Sequence, residues 1–134
     1  MSGRMIFVSL PVQDLSRARD FYQELGFRLN EHSSDERTAS VVVDDNIVVA
    51  LQTRAAFADL VGAEAGDPSR PTAIPCLTVA DRAGVDDLVA KALAAGGRSW
   101  LPATEEDSRY TGSFTDPDGN LWQVLWLDQL HVVN

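Results

Sequence analysis

The chain repeats its own grammar, and a repeat constrains architecture before any single motif does. Val12-Gln-Asp14 opens a helical pattern that stops at Leu25-Gly26, and Val79-Ala-Asp81 opens one that stops at Ala95-Gly96. Further along, Asp44-Asp-Asn46 precedes Ile47 much as Asp118-Gly-Asn120 precedes Leu121. The offset drifts from 67 (Asp14 to Asp81) to 74 (Asp44 to Asp118), so the two halves share a plan through old duplication or through convergence. That plan is strand, helix, then three strands.

Residues 5–12 alternate, with Ile6, Val8, Leu10 and Val12 on one side and Phe7, Ser9 and Pro11 on the other. This predicts a strand whose first set packs on a helix. Asp14 caps a helix over 15–25, with Leu15, Ala18, Phe21, Tyr22 and Leu25 as its apolar stripe. A strand begins at 27–29, residues 31–38 form a polar connection, and 39–43 with 47–52 form a hairpin around Asp44-Asp45-Asn46. Residues 54–61 read as a short helix. The second half gives a strand at 74–79, a helix capped by Asp81, a strand at 98–102 and an acidic loop at 103–108. The whole is one domain over 1–134: a first module at 4–61, a linker at 62–71 and a second module at 72–130.

The last hairpin turns at Asp116-Pro117-Asp118-Gly119-Asn120, where proline presets φ and Asp116 and Asp118 are turn formers before they are candidate acids. Its second arm carries Trp122, Val124 and Trp126 on one face, an apolar load for a helix to cover. Leu121, Gln123, Leu125 and Leu127 lie on the other. Gln123 is the polar exception in that row. It reads either as a satisfied amide at a strand edge or as a ligand contact.

Composition narrows the function classes. Twenty acidic against eleven basic residues give a net charge of −9, which repels phosphate backbones and anionic membranes. No nucleic-acid or membrane partner is expected. Cys76 is the single cysteine, so no intramolecular disulfide forms, and its sequence neighbours supply nothing to activate the thiol. The N-terminus has no signal-peptide pattern and no stretch is long and apolar enough to span a bilayer, so a cytoplasmic location is expected. Glu105-Glu106-Asp107 reads as a solvated charge run. His32 lies in the polar connection, where Glu31 beside it offers at most an adventitious site, and His131 lies past the last strand.

Phe7-Val-Ser-Leu-Pro-Val-Gln-Asp-Leu15, the helix residues Arg19-Asp-Phe-Tyr22, Leu25-Gly-Phe27 and the closing Phe114-Thr-Asp-Pro-Asp-Gly-Asn-Leu-Trp-Gln resemble the vicinal oxygen chelate superfamily. That group includes glyoxalase I, bleomycin- and fosfomycin-resistance proteins and extradiol dioxygenases. The resemblance implies an α+β fold of tandem βαβββ modules, a cup of two curled mixed sheets with helices outside and a pocket inside. In the superfamily's enzymes a divalent metal sits in the cup on four strand positions. Carried onto this chain, those positions are Phe7, Val49 or Ala50, Ile74 and Gln123. Three of the four offer no donor atom, so no metal and no cofactor is expected.

The expected pocket has apolar walls with Phe7, Val49, Ile74, Leu121 and Leu125. Ser9, Cys76, Thr78 and Gln123 are its polar groups, and Trp100, Tyr110 and Phe57 supply flat surface for an aromatic ligand. The alternative for Phe7, Ile74, Trp100 and Tyr110 is that they only fill the core. Function then divides between a metal-free binder of a small apolar or aromatic molecule and a glyoxalase-like lyase or isomerase. The latter would use shifted metal ligands or metal-free chemistry. The Trp122, Val124 and Trp126 face, the exposed sheet edges and the superfamily's habit of pairing cups lead to an expected homodimer.

Overall fold

The computed structural model describes residues 3–128, and His131 lies outside them. The chain divides into two compact units, Met1–Asp67 and Pro68–Asn134. It is an α+β fold with two mixed sheets and three helices among the described residues.

In the first unit β1 (Ile6–Val12) leads to α1 (Leu15–Glu24), β2 (Arg28–Asn30), β3 (Thr38–Asp44), β4 (Ile47–Thr53) and α2 (Arg54–Val61). The sheet order is β1-β4-β3-β2, with β1 parallel to β4 and the rest antiparallel. Asp14 accepts the Arg17 N–H at 3.1 Å to start α1, and Thr53 accepts the Ala56 N–H at 3.1 Å to start α2. Ala18, Phe21 and Tyr22 of α1 are buried, as are Val12, Ala39, Val41, Val49 and Leu51 of the sheet. Burying such side chains contributes about 1.5–3 kcal/mol each for the larger ones.

The second unit comprises β5 (Cys76–Thr78), α3 (Arg82–Ala94), β6 (Arg98–Ser99), β7 (Thr104–Glu106), β8 (Arg109–Thr115) and β9 (Leu121–Leu127). Its sheet runs β5-β9-β8-β6, with β7 also pairing β8. Asp81 accepts the Gly84 N–H at 2.8 Å to cap α3. Both α1 and α3 stop at glycines with positive φ, Gly26 at 103° and Gly96 at 109°. The helix rests on β8 and β9, and it comes so close at Gly112 that a Cβ there would meet Val85 at 2.9 Å and Val89 at 3.0 Å.

Three segments depart from the sequence reading. The strand expected at 74–79 is trimmed to Cys76–Thr78, so Ile74 precedes it, and that expected at 98–102 ends at Ser99, so Trp100 follows it. The expected acidic loop is instead strand β7 and a two-residue turn at Asp107-Ser108. Its charged side chains are exposed, as expected, and Arg82 ties the segment down. Arg82 places Nε 3.0 Å from Glu105 and donates to the carbonyls of Glu106 and Asp107, while its guanidinium lies 4.4 Å over the Trp126 ring.

The register also corrects the repeat. Val42 pairs Val48 and Asp44 pairs Ile47, which leaves Val43 as an extra residue in β3. In the second unit Thr115 pairs Leu121 with no such bulge. Ser9 faces Ala50 as Cys76 faces Gln123, so Ala50, not Val49, is the counterpart of Gln123.

Candidate functional site

Strand alternation gives the sheet of the second unit a helix face and an open face. Trp122 and Val124 point under α3 and are buried, with the Trp122 ring stacked on Phe114 at 6.4 Å between centroids. Those two side chains are therefore taken by the chain's own helix. They cannot supply the dimer contact expected of them. Leu121, Gln123 and Leu125 lie on the open face, opposite Thr115, Ser113 and Thr111 of β8.

A break in pairing opens a cavity on that face. β6 ends with Ser99 opposite Phe114, and β7 starts with Thr104 opposite Thr111. Residues 100–103 thus loop past Gly112 and Ser113, four residues against two. The Ser113 hydroxyl pins the loop, accepting the Leu101 N–H at 3.2 Å and donating to the Leu101 carbonyl at 3.4 Å. Beneath lies a cavity of about 130 Å³. Ile74, Trp100, Leu101, Pro102 and Leu121 give it apolar walls, and Thr104, Thr111, Ser113 and Gln123 line it with polar groups. Its volume is close to the ~150 Å³ that accommodates one benzene ring.

Gln123 sits on β9, between β5 and β8. The strand-edge reading of its amide therefore fails. Its backbone N–H donates to the Pro75 carbonyl at 2.9 Å, and no side-chain hydrogen bond holds its amide among the described residues. The amide brings an acceptor and two donors to the cavity wall without a charge.

The expected pocket residues part company. Ile74, Trp100 and Gln123 meet at the cavity. Cys76 shares the open face, in register with Gln123, but does not line the cavity. Partial burial pushes its thiol above the usual cysteine range, with Arg109 opposing, so it is a poor nucleophile at neutral pH. Tyr110 is a correction. It pairs Trp126, so alternation puts it on the helix face away from Gln123, and its hydroxyl donates to Asp86 at 2.7 Å.

Phe7 and Ser9 belong to the open face of the first unit, together with Ala50 and Gln52. Val49 is the second correction. It pairs Val8 on the opposite face, where it is buried, because the extra Val43 shifts the apparent repeat by one residue. Phe57 lies on α2 of the same unit.

Sequence reasoning missed Thr104, Thr111 and Ser113. The two β8 residues were within reach, since antiparallel pairing through the Asp116 turn puts Thr111 and Ser113 on the face of Gln123. It also missed Gln52, whose buried Oε1 has no hydrogen-bond partner among the described residues. Asp116 is a turn former as expected. It is buried, and its carboxylate accepts the Asp118 and Asn120 backbone N–H groups and the Asn120 amide, each at 2.9 Å.

The positions that the resemblance assigns to a metal do not fit one. Phe7, Ala50 and Ile74 offer hydrocarbon, and Gln123 offers one amide, whereas divalent cations take several oxygen or nitrogen ligands. Among the described residues no three His, Cys, Asp or Glu side chains cluster elsewhere. His32 is exposed, and Glu31 beside it is paired with Arg19 at 2.7 Å.

A sequence model described as Glyoxalase/Bleomycin resistance protein/Dioxygenase superfamily matches residues 4–124. No curated protein matches. Among solved structures, a hypothetical protein from S. aureus is 27% identical with a TM-score of 0.79, over 94% of each chain. A glyoxalase-related enzyme from Fulvimarina pelagi is 23% identical with a TM-score of 0.79, covering 93% of this chain and 88% of its own. A glyoxalase/bleomycin resistance protein/dioxygenase family enzyme from Burkholderia phytofirmans PsJN is 18% identical with a TM-score of 0.79, covering 94% of this chain and all of its own, 100%. No helix among the described residues is long and apolar enough to cross a membrane.

Proposed function

Because the chain belongs to the Glyoxalase/Bleomycin resistance protein/Dioxygenase superfamily, we propose that it is a metal-free binding protein for a small, partly apolar or aromatic molecule. The observation that carries this reading is Gln123, a neutral amide with no side-chain partner among the described residues, set in the wall of a cavity otherwise bounded by hydrocarbon and hydroxyl groups. Such a group orients a ligand without demanding charge, while the apolar walls supply most of the affinity. Trp100 at the mouth adds a flat face for a ring. The lyase or isomerase alternative with shifted metal ligands finds no ligand set among the described residues.

Phenol, with toluene as its apolar match, tests the site by chemical-shift changes at the Trp100 indole N–H. Phenol binds more tightly than toluene, and Gln123→Leu weakens phenol about fivefold, the ~1 kcal/mol of one neutral hydrogen bond, while leaving toluene unchanged. If Gln123→Leu unfolds the protein, or changes neither ligand, Gln123 is structural and the reading fails. Elemental analysis of protein purified without chelator adds an independent arm. A stoichiometric transition metal whose removal lowers the melting temperature overturns the metal-free part.

The reading includes a second copy of the chain. β1 is an edge strand, and Met5, Ile6 and Phe7 on it or beside it are exposed, Phe7 at 61%. An exposed apolar edge is a pairing surface. Light scattering near 14.6 kDa, the mass of one chain, rules the dimer out.

A further inference from the structure

The loop at 100–103 has a cavity on each side. The second, of about 200 Å³, lies between α3 and the loop and is somewhat larger than the ~150 Å³ that takes a benzene ring. Val89, Ala90 and Leu93 of α3 form one wall, and Leu101 and Ala103 of the loop form another. The one ionisable residue lining it is Asp86. We propose that this cavity binds the aliphatic body of a small primary amine, with the ammonium group on the Asp86 carboxylate.

The surroundings of Asp86 favour a cation with an aliphatic body. The Tyr110 hydroxyl donates to Oδ1 of Asp86 at 2.7 Å, which fixes the carboxylate and leaves Oδ2 available. No cation pairs with Asp86 among the described residues. Arg82, one helical turn earlier, is committed to Glu105 and to the carbonyls of Glu106 and Asp107. An ammonium group there makes a charge-assisted hydrogen bond, and the net charge of −9 draws cations and repels carboxylates or phosphates. No aromatic ring lines this cavity, and the Ser113 hydroxyl is occupied by Leu101, so an alkyl or alicyclic body suits it best. The first cavity is lined by no ionisable residue, so the two separate ligands by charge. The inference stands independently of the function proposed above.

The test titrates cyclohexylamine and its uncharged match cyclohexanol into isotope-labelled protein at neutral pH, following backbone amides. The expected result is saturable shifts at Ala90, Leu93 and Ala103, with the amine binding at least fivefold more tightly than the alcohol. Asp86→Asn keeps an oxygen for Tyr110 and should erase the preference for the amine. Ala90→Leu, at an exposed helix position that tolerates leucine, should fill the cavity and abolish both titrations, with circular dichroism confirming the fold. Equal binding of amine and alcohol overturns the proposal. So does undiminished amine binding by Asp86→Asn, the absence of shifts at millimolar ligand, or shifts confined to Ile74, Thr111 and Gln123.

Discussion

The first unit pairs β1 with β4 along seven residues, whereas the second pairs β5 with β9 along only three. In the first unit the outer partner of β3 is the single three-residue strand β2; in the second, the outer partner of β8 is split into β6 and β7. Ser40 and Ser113 occupy equivalent places, opposite Ala50 and Gln123. Ser40 donates to the Ser33 carbonyl at 3.0 Å and so holds a short 3₁₀ turn, while Ser113 holds the loop at Leu101. One device thus closes a connection in the first unit and props a loop over two cavities in the second. The break between β6 and β7 is what opens the two cavities.

The two turns give the sharpest contrast. Asp116 is buried and accepts three hydrogen bonds, whereas Asp44 is exposed and accepts one, from the Asp45 N–H at 2.8 Å. Asp116→Ala should cost about 3 kcal/mol, since it strands several donors of a charged acceptor. Asp44→Ala should cost about 0.5 kcal/mol, the usual limit for a surface change. Equal losses in urea denaturation would break the comparison.

Next in size is Gly112→Ala. The added methyl meets Val85 and Val89 at or below 3.0 Å, and overpacking of this kind costs about 1–3 kcal/mol. A change below 0.5 kcal/mol would mean that α3 is free to lift from the sheet. Ser113→Ala should cost about 1 kcal/mol and speed hydrogen exchange at the Leu101 amide, with less effect on the other β8 amides. If exchange at Leu101 is unaltered, the serine does not hold the loop.

The smallest effect is a titration. Tyr110 keeps its proton above the ordinary tyrosine range because its hydroxyl bonds to Asp86, with burial and the charges of Asp86 and Glu105 adding to the shift. A raised folded pKa means that this contribution to stability is complete below the unfolded value near 10 and fades as pH climbs through the folded one. Ultraviolet titration should show Tyr110 ionising later than free tyrosine, and Asp86→Asn should lower the midpoint. An unchanged midpoint would remove the bond from the account of Asp86.

What the sequence made legible has physical reasons. Helix α2 was readable to its ends because Thr53 caps it and Gly62 stops it. β9 was readable because its helix face is aromatic and branched throughout. β7 was hidden, since Thr104, Glu105 and Glu106 are all exposed and leave no apolar alternation; backbone pairing and Arg82 hold it instead. Ile74, Trp100 and Gln123 were singled out from type and position, and all three line one cavity. The cavity they share was not legible, because it depends on a four-against-two mismatch that no local pattern announces. Tyr110 went to the wrong group because its aromatic character was weighed without its strand parity.

The bulge at Val43 sets a rule for recombining the two halves. Between Val42 and Val48 lie five residues, and between Thr115 and Leu121 lie five, so these segments are interchangeable lengths bounded by equivalent pairs. A chimaera joined there keeps inward side chains inward. One spliced at the look-alike triplets Asp44-Asp-Asn46 and Asp118-Gly-Asn120 slips by a residue, and a one-residue slip in a strand turns every later side chain to the other face. The most visible likeness in the text of the chain is therefore the wrong place to cut.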